Sequence, residues 1–113
     1  MRKGKFVQAK RHIAHHLAES ELSPATVAAA LGISVRTQHD AFEPAGTTFS
    51  RYVQRRRLEE CRTAVLANPD RPVIDIAFVW GFGSLSSFYS AFQATFGASP
   101  GDLRANTRDE HRR

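Results

Sequence analysis

Arg36, His39 and Asp40 cluster just after the turn Gly32-Ile33-Ser34. With Val35, they are left facing outward once Ala41 and Phe42 turn inward on a helix. Arg36 carries a planar fork of donors suited to a flat pair of acceptors or to a phosphate, and His39 carries a ring donor. A second set follows Gly81-Phe82-Gly83-Ser84. Phe88 and Phe92 turn inward there, leaving Leu85, Ser86, Tyr89 and Ser90 outside. This is the chemistry of recognition. No nucleophile–base pair, phosphate loop or paired carboxylates appear, so the chain does not read as an enzyme.

His12, His15 and His16 stand at i, i+3 and i+4, a spacing that can suit a metal. With no fourth ligand or carboxylate cluster in the pattern, they read as a polar helix face, and no metal or cofactor is expected. Cys61 falls on an inward stripe and reads as a small core residue. Arg57 shares that stripe (Phe49, Val53, Arg57, Cys61) and reads as a structural ion-pair residue, with Asp75 as a candidate partner. Phe78, Phe82, Phe88, Phe92 and Phe96 recur at helical spacing and read as core rather than as a base-stacking platform.

The elements that must position these residues follow from a repeat. Thr26-Val27-Ala28-Ala29-Ala30-Leu31-Gly32-Ile33 returns 49 positions later as Asp75-Ile76-Ala77-Phe78-Val79-Trp80-Gly81-Phe82. Each copy reads as a short helix, a glycine-led turn and a second helix. Phe6, Ala9, Ile13 and Leu17 predict an amphipathic helix over residues 5–19. Ser23-Pro24 opens the next helix, which stops at Gly32, and Ser34 caps a helix over about 35–43. Thr47 or Thr48 opens a long helix to about Leu66, apolar on more than one side. Asn68 to Pro72 is a turn. Helices follow at about 73–80, 84–96 and from Pro100 to about Thr107. The expectation is an all-α chain of about seven helices. Its parts are a first helix-turn-helix subdomain (5–46), a linker helix (47–67), a second subdomain (72–107) and a frayed charged tail (108–113).

The residues Ala28…Gly32-Ile33-Ser34, Phe42…Gly46-Thr47-Thr48-Phe49…Tyr52, Arg57-Leu58, Ile76-Ala77…Trp80-Gly81-Phe82 and Phe88…Phe92…Phe96-Gly97…Ser99-Pro100 together resemble the DNA-binding domain of the AraC/XylS family of bacterial transcription regulators. The likeness covers about residues 5–105. It implies two helix-turn-helix subdomains joined by the long helix, each offering a reading helix to one of two adjacent major-groove segments of double-stranded DNA. Arg36 would then contact guanine or phosphate, Ser86 a base or phosphate, Leu85 a thymine methyl and Tyr89 a phosphate. The resemblance also exposes departures. The family usually has Leu at Gln38, and Arg at Asp40 and Ser90, so each reading helix has lost a basic side chain.

Charge bears on the same reading. The 113 residues carry a formal charge of +5. Residues 1–62 hold 11 Lys/Arg and 6 Asp/Glu, whereas residues 63–113 hold 5 of each. Phosphate neutralisation would fall to Lys3, Lys5, Lys10, Arg11, the long-helix arginines (Arg55 and Arg56 among them), the helix N-termini at the reading units and the charged tail. A hydrophobic fraction of 42% allows a packed core. No apolar run reaches the ~20 residues of a membrane span, and the N-terminus lacks the pattern of a secretory signal. The single cysteine fits a cytoplasmic location. No effector domain is evident, which suits a stand-alone regulator or the C-terminal piece of a longer one. The alternative reading, from Gln38, Asp40 and Ser90, is a degenerate helix-turn-helix that binds protein, such as RNA polymerase.

Overall fold

The computed structural model describes residues 2–111, with side chains described for residues 4–107. Seven α-helices make up the described residues: α1 (Arg2–His16), α2 (Pro24–Leu31), α3 (Val35–Phe42), α4 (Phe49–Ala67), α5 (Val73–Val79), α6 (Leu85–Phe96) and α7 (Pro100–His111). A 3-10 turn, Glu43–Ala45, follows α3. The expected tail is helical as far as His111; Arg112, Arg113 and the side chains of Lys3 and Arg108 lie outside the described residues. The chain divides into two compact units, Met1–Arg56 and Arg57–Arg113, with the border inside α4.

In the first unit, α1, α2 and α3 pack on one another. Ala9, Ile13, Leu17, Val27, Ala28, Ala41, Phe42, Phe49 and Val53 are buried. Phe42 is the hub, its ring centre lying 5.0 Å from Phe6, 5.9 Å from Phe49 and 5.7 Å from Tyr52. The entry to α2 is held by a reciprocal cap. Ser23 Oγ accepts from the Thr26 amide, and Thr26 Oγ1 accepts from the Ser23 amide, at 3.2 and 3.0 Å.

The second unit buries Leu58, Cys61, Val65, Ile76, Ala77, Phe88 and Phe92, with Trp80, Phe82, Leu85, Ala91 and Phe96 packed around them. Arg104 staples α7 to the end of α4 and the chain that follows it. Its Nε donates to Val65 O at 3.0 Å, and its Nη2 donates to Asn68 O and Arg71 O at 2.9 and 2.7 Å. These charge-assisted bonds satisfy carbonyls at the end of a helix, where partners within the helix run out.

One residue expected inside lies outside: Phe78 is 55% exposed. The seven-residue α5 buries the stripe Ile76 and Ala77, with Val73 and Trp80 beside it. Phe78 lies about 100° round from Ala77, on the face it shares with exposed Ile74. Phenylalanine spacing alone does not say which of two stripes a short helix buries.

Gln38 resolves the conflict noted in the sequence by staying in the core, 1% exposed. Its Nε2 donates to Pro24 O at 3.0 Å, while its Oε1 is buried without a hydrogen-bond partner. An orphaned buried acceptor costs about 1–3 kcal/mol. Gln38→Leu should therefore stabilise the protein by about 1 kcal/mol in urea denaturation, since it removes that acceptor for the loss of one modest bond.

Gly32 and Gly81 have left-handed backbones, φ 69° and 90°. Around Gly32 the space for a Cβ is open; at Gly81 a Cβ would stand 3.1 Å from Arg57 Nη1. Gly32→Ala should cost about 1–2 kcal/mol from backbone strain alone. Gly81→Ala should cost more, because the guanidinium must also give way; paired thermal melts would show the difference.

Burial, and then Glu60, push the Cys61 thiol up to about 12. The thiol is protonated in the folded state across the neutral range, and its contribution to stability falls only as pH rises from about 9 towards 12. Ellman's reagent at pH 8 should label Cys61 only as fast as the protein opens, and at once in denaturant.

Candidate nucleic-acid interface

Both pairs of helices are closed by the same hydrogen bonds. The Ile33 amide donates to Ala28 O and the Phe82 amide to Ala77 O, each at 3.0 Å, spanning the glycine. This six-residue closure satisfies the end of the first helix and sets where the second begins. Ala28 and Ala77 are buried at that crossing, where a larger side chain would force the helices apart. Each second helix then opens on a serine. Ser34 Oγ accepts from the Thr37 amide at 3.0 Å, and Ser84 Oγ from the Ser87 amide at 3.1 Å.

These caps fix a register that the first helices alone do not. The first helices repeat at an offset of 49 residues, the second at 50, with Gly83 as the extra residue. Gln38 then corresponds to Phe88, Ala41 to Ala91 and Phe42 to Phe92. On the outer face, Arg36 corresponds to Ser86, His39 to Tyr89 and Asp40 to Ser90. The amide of Gln38 thus occupies the place that an aromatic ring fills in the second unit, which is why its burial is forced.

On α3, Val35 is 49% exposed, Arg36 and His39 are exposed and Asp40 is half-buried. On α6, Ser86, Tyr89 and Ser90 are exposed, whereas Leu85 is half-buried against the core. Leu85 therefore presents only part of its side chain outward, less than its outward placement in the sequence implied. Continuing each row by one turn adds Glu43 and Gln93, both exposed, which sequence reasoning passed over. The signal was there: they lie seven residues beyond Arg36 and Ser86, on the same stripe.

The long-helix arginines separate by environment. Arg55 is exposed and Arg56 half-buried. Arg57 lies against the Gly81 turn, and burial draws its guanidinium pKa down. The Arg57 guanidinium therefore stands where a Cβ on residue 81 would meet it. Arg62 sits 4.5 Å above the Phe96 ring. His16 Nδ1 bonds Glu19 Oε2 at 2.8 Å, and the His12 and His16 rings lie 4.3 Å apart. No helix among the described residues is long and apolar enough to cross a membrane.

Comparison with known proteins agrees with this arrangement. Residues 27–106 match the family described as a helix-turn-helix domain. The chain is 35% identical over 99 residues to the transcriptional activator NphR of a Rhodococcus species, covering 88% of this chain and 29% of the relative. It is 38% identical over 96 residues to the transcriptional activator RhrA of Rhizobium meliloti, covering 84% and 31%. The chain thus spans less than a third of the length of these relatives. A solved transcriptional regulator of Chromobacterium violaceum, of the proteins containing an AraC-type DNA-binding domain, shares the fold with a TM-score of 0.83 at 26% identity, over 90% of each chain. With the paired turns, both serine caps and the sequence between them matched, the chain belongs to the AraC/XylS family of helix-turn-helix transcription regulators.

Proposed function

We propose that this chain binds double-stranded DNA sequence-specifically, as the reading domain of a transcriptional activator. The observation that carries the reading is the doubling of one device. Two left-handed glycine turns each present a serine-capped helix whose outer face is a row of hydrogen-bonding side chains. Relatives of similar sequence are named as transcriptional activators. In this reading α3 and α6 enter two adjacent major-groove segments, and the operator need not be palindromic because the two faces differ.

On α3, Arg36 contributes bidentate donors for guanine and His39 a donor for a base or phosphate, while Asp40 accepts from a cytosine amino group. Val35, at the opening of the helix, offers an apolar contact of the kind a thymine methyl takes. On α6, Ser86 and Ser90 offer hydroxyls to bases or phosphates, and Tyr89 its phenol to a phosphate. Arg55, with Arg56 beside it, supplies phosphate contacts. As an activator the chain would act in the cytoplasm, with RNA polymerase as a further partner.

Selection of bound duplexes from a random pool should return a defined, asymmetric site, bound more weakly as salt rises. Arg36→Ala should then cost about 1–3 kcal/mol on that site and relax the preference at one position. A pool that emerges unenriched would sink the reading.

A further inference from the structure

We infer, resting on the reading just proposed, that the two units divide the work of binding. The first unit supplies the phosphate neutralisation, and the second adds a salt-insensitive contact through an uncharged hydroxyl face.

Among its described side chains, the second unit has little positive charge to offer. Helix α6 contains no charged residue, and its outward stripe is Ser86, Tyr89, Ser90 and Gln93. The arginines around it are engaged in the fold. Arg104 donates to three backbone carbonyls, Arg62 lies on the Phe96 ring, and Arg57 is set against the Gly81 turn. Arg71 is exposed but follows Asp70, also exposed. A guanidinium whose donors are taken by backbone carbonyls, as in Arg104, is not placed to displace counterions from a phosphate.

The first unit is the opposite case. Lys5 and Arg11 on α1, and Arg51 and Arg55 on the first half of α4, are exposed or half-exposed. Arg51 and Arg55 stand four residues apart, on one stripe. On α3 Asp40 balances Arg36, and Glu43 follows in the 3-10 turn, so the reading helix adds no net positive charge. The phosphate contacts must therefore come from α1 and α4. Each phosphate neutralised contributes about −0.9 to the slope of log affinity against log salt, whereas a neutral hydroxyl contact contributes none. The half of the operator read by α6 would hold as salt rises, while the hold of the first unit weakens.

The test is a salt titration of affinity on a selected duplex, between about 50 and 200 mM. R51Q/R55Q should make the slope shallower by about 1.8, two contacts' worth. S86A/S90A, both exposed positions, should weaken binding about tenfold at every salt and leave the slope unchanged. R71Q, and R108Q/R112Q/R113Q in the tail, should leave the slope where it is. A fall in slope with the Arg71 or tail variants would overturn the division, as would an unchanged slope in R51Q/R55Q or unchanged affinity in S86A/S90A. Wild-type protein that binds selected and random duplexes alike would instead defeat the DNA reading itself, so the two failures are distinguishable.

Discussion

In each unit an amide donates back across a glycine to an alanine carbonyl, Ile33 to Ala28 and Phe82 to Ala77. That bond exists only because Gly32 and Gly81 accept a left-handed backbone at little cost. It decides where the first helix stops, and the serine that follows decides where the second starts. Every outward side chain on α3 and α6 takes its direction from those two points. A slip of one residue there would rotate the reading face by about 100° and bring buried positions to the surface.

The two units solve the packing beneath that turn differently. The second fills the centre with rings, Phe88 lying 5.2 Å from Phe82 and 5.5 Å from Phe92. The first places Phe42 against Phe6, Phe49 and Tyr52, and sets Gln38 where the second has Phe88. The Gln38 amide ties the middle of α3 to the first turn of α2 through Pro24 O, at 3.0 Å. Its other end is buried without a partner. The first unit therefore carries a polar tie where the second carries an aromatic contact, and the tie holds the helix that bears Arg36 and His39. Arginine plays the matching role in the second unit, where the Arg104 bonds fasten α7 and the Arg57 guanidinium backs the Gly81 turn.

Charge in this chain is thus partly structural. A formal +5 looks like a single attraction for a polyanion. The side-chain environments set Arg57 and Arg104, engaged in the fold of the second unit, apart from Arg11, Arg51 and Arg55, exposed in the first. Sequence-level charge counts placed the excess in the N-terminal half. They did not distinguish Arg55 from Arg57, two residues apart, one exposed and one lowered in pKa by burial.

Most of the scaffold was legible in the sequence because its determinants are local. Ser23, Ser34 and Ser84 act on amides three residues away, and Gly32 and Gly81 act on their own backbone. Helix starts and stops, the doubled turn and the outward position of Arg36 and His39 follow from such short-range chemistry. Other features depended on what a helix meets across space. Phe78 and Phe88 are both phenylalanines on short helices, yet one faces water and the other is fully buried. Gln38 reads as polar, yet it is inside. Arg104 is one cation among many until its guanidinium meets carbonyls 33 to 39 residues away. The sequence by itself determined the family, the helices and the two turns, since backbone preference and capping are set within a few residues. Only the tertiary structure decided which stripe of α5 is buried, where the Gln38 amide goes and which arginines are spent on the fold, because burial and long-range hydrogen bonds are properties of neighbours that the chain brings together only on folding.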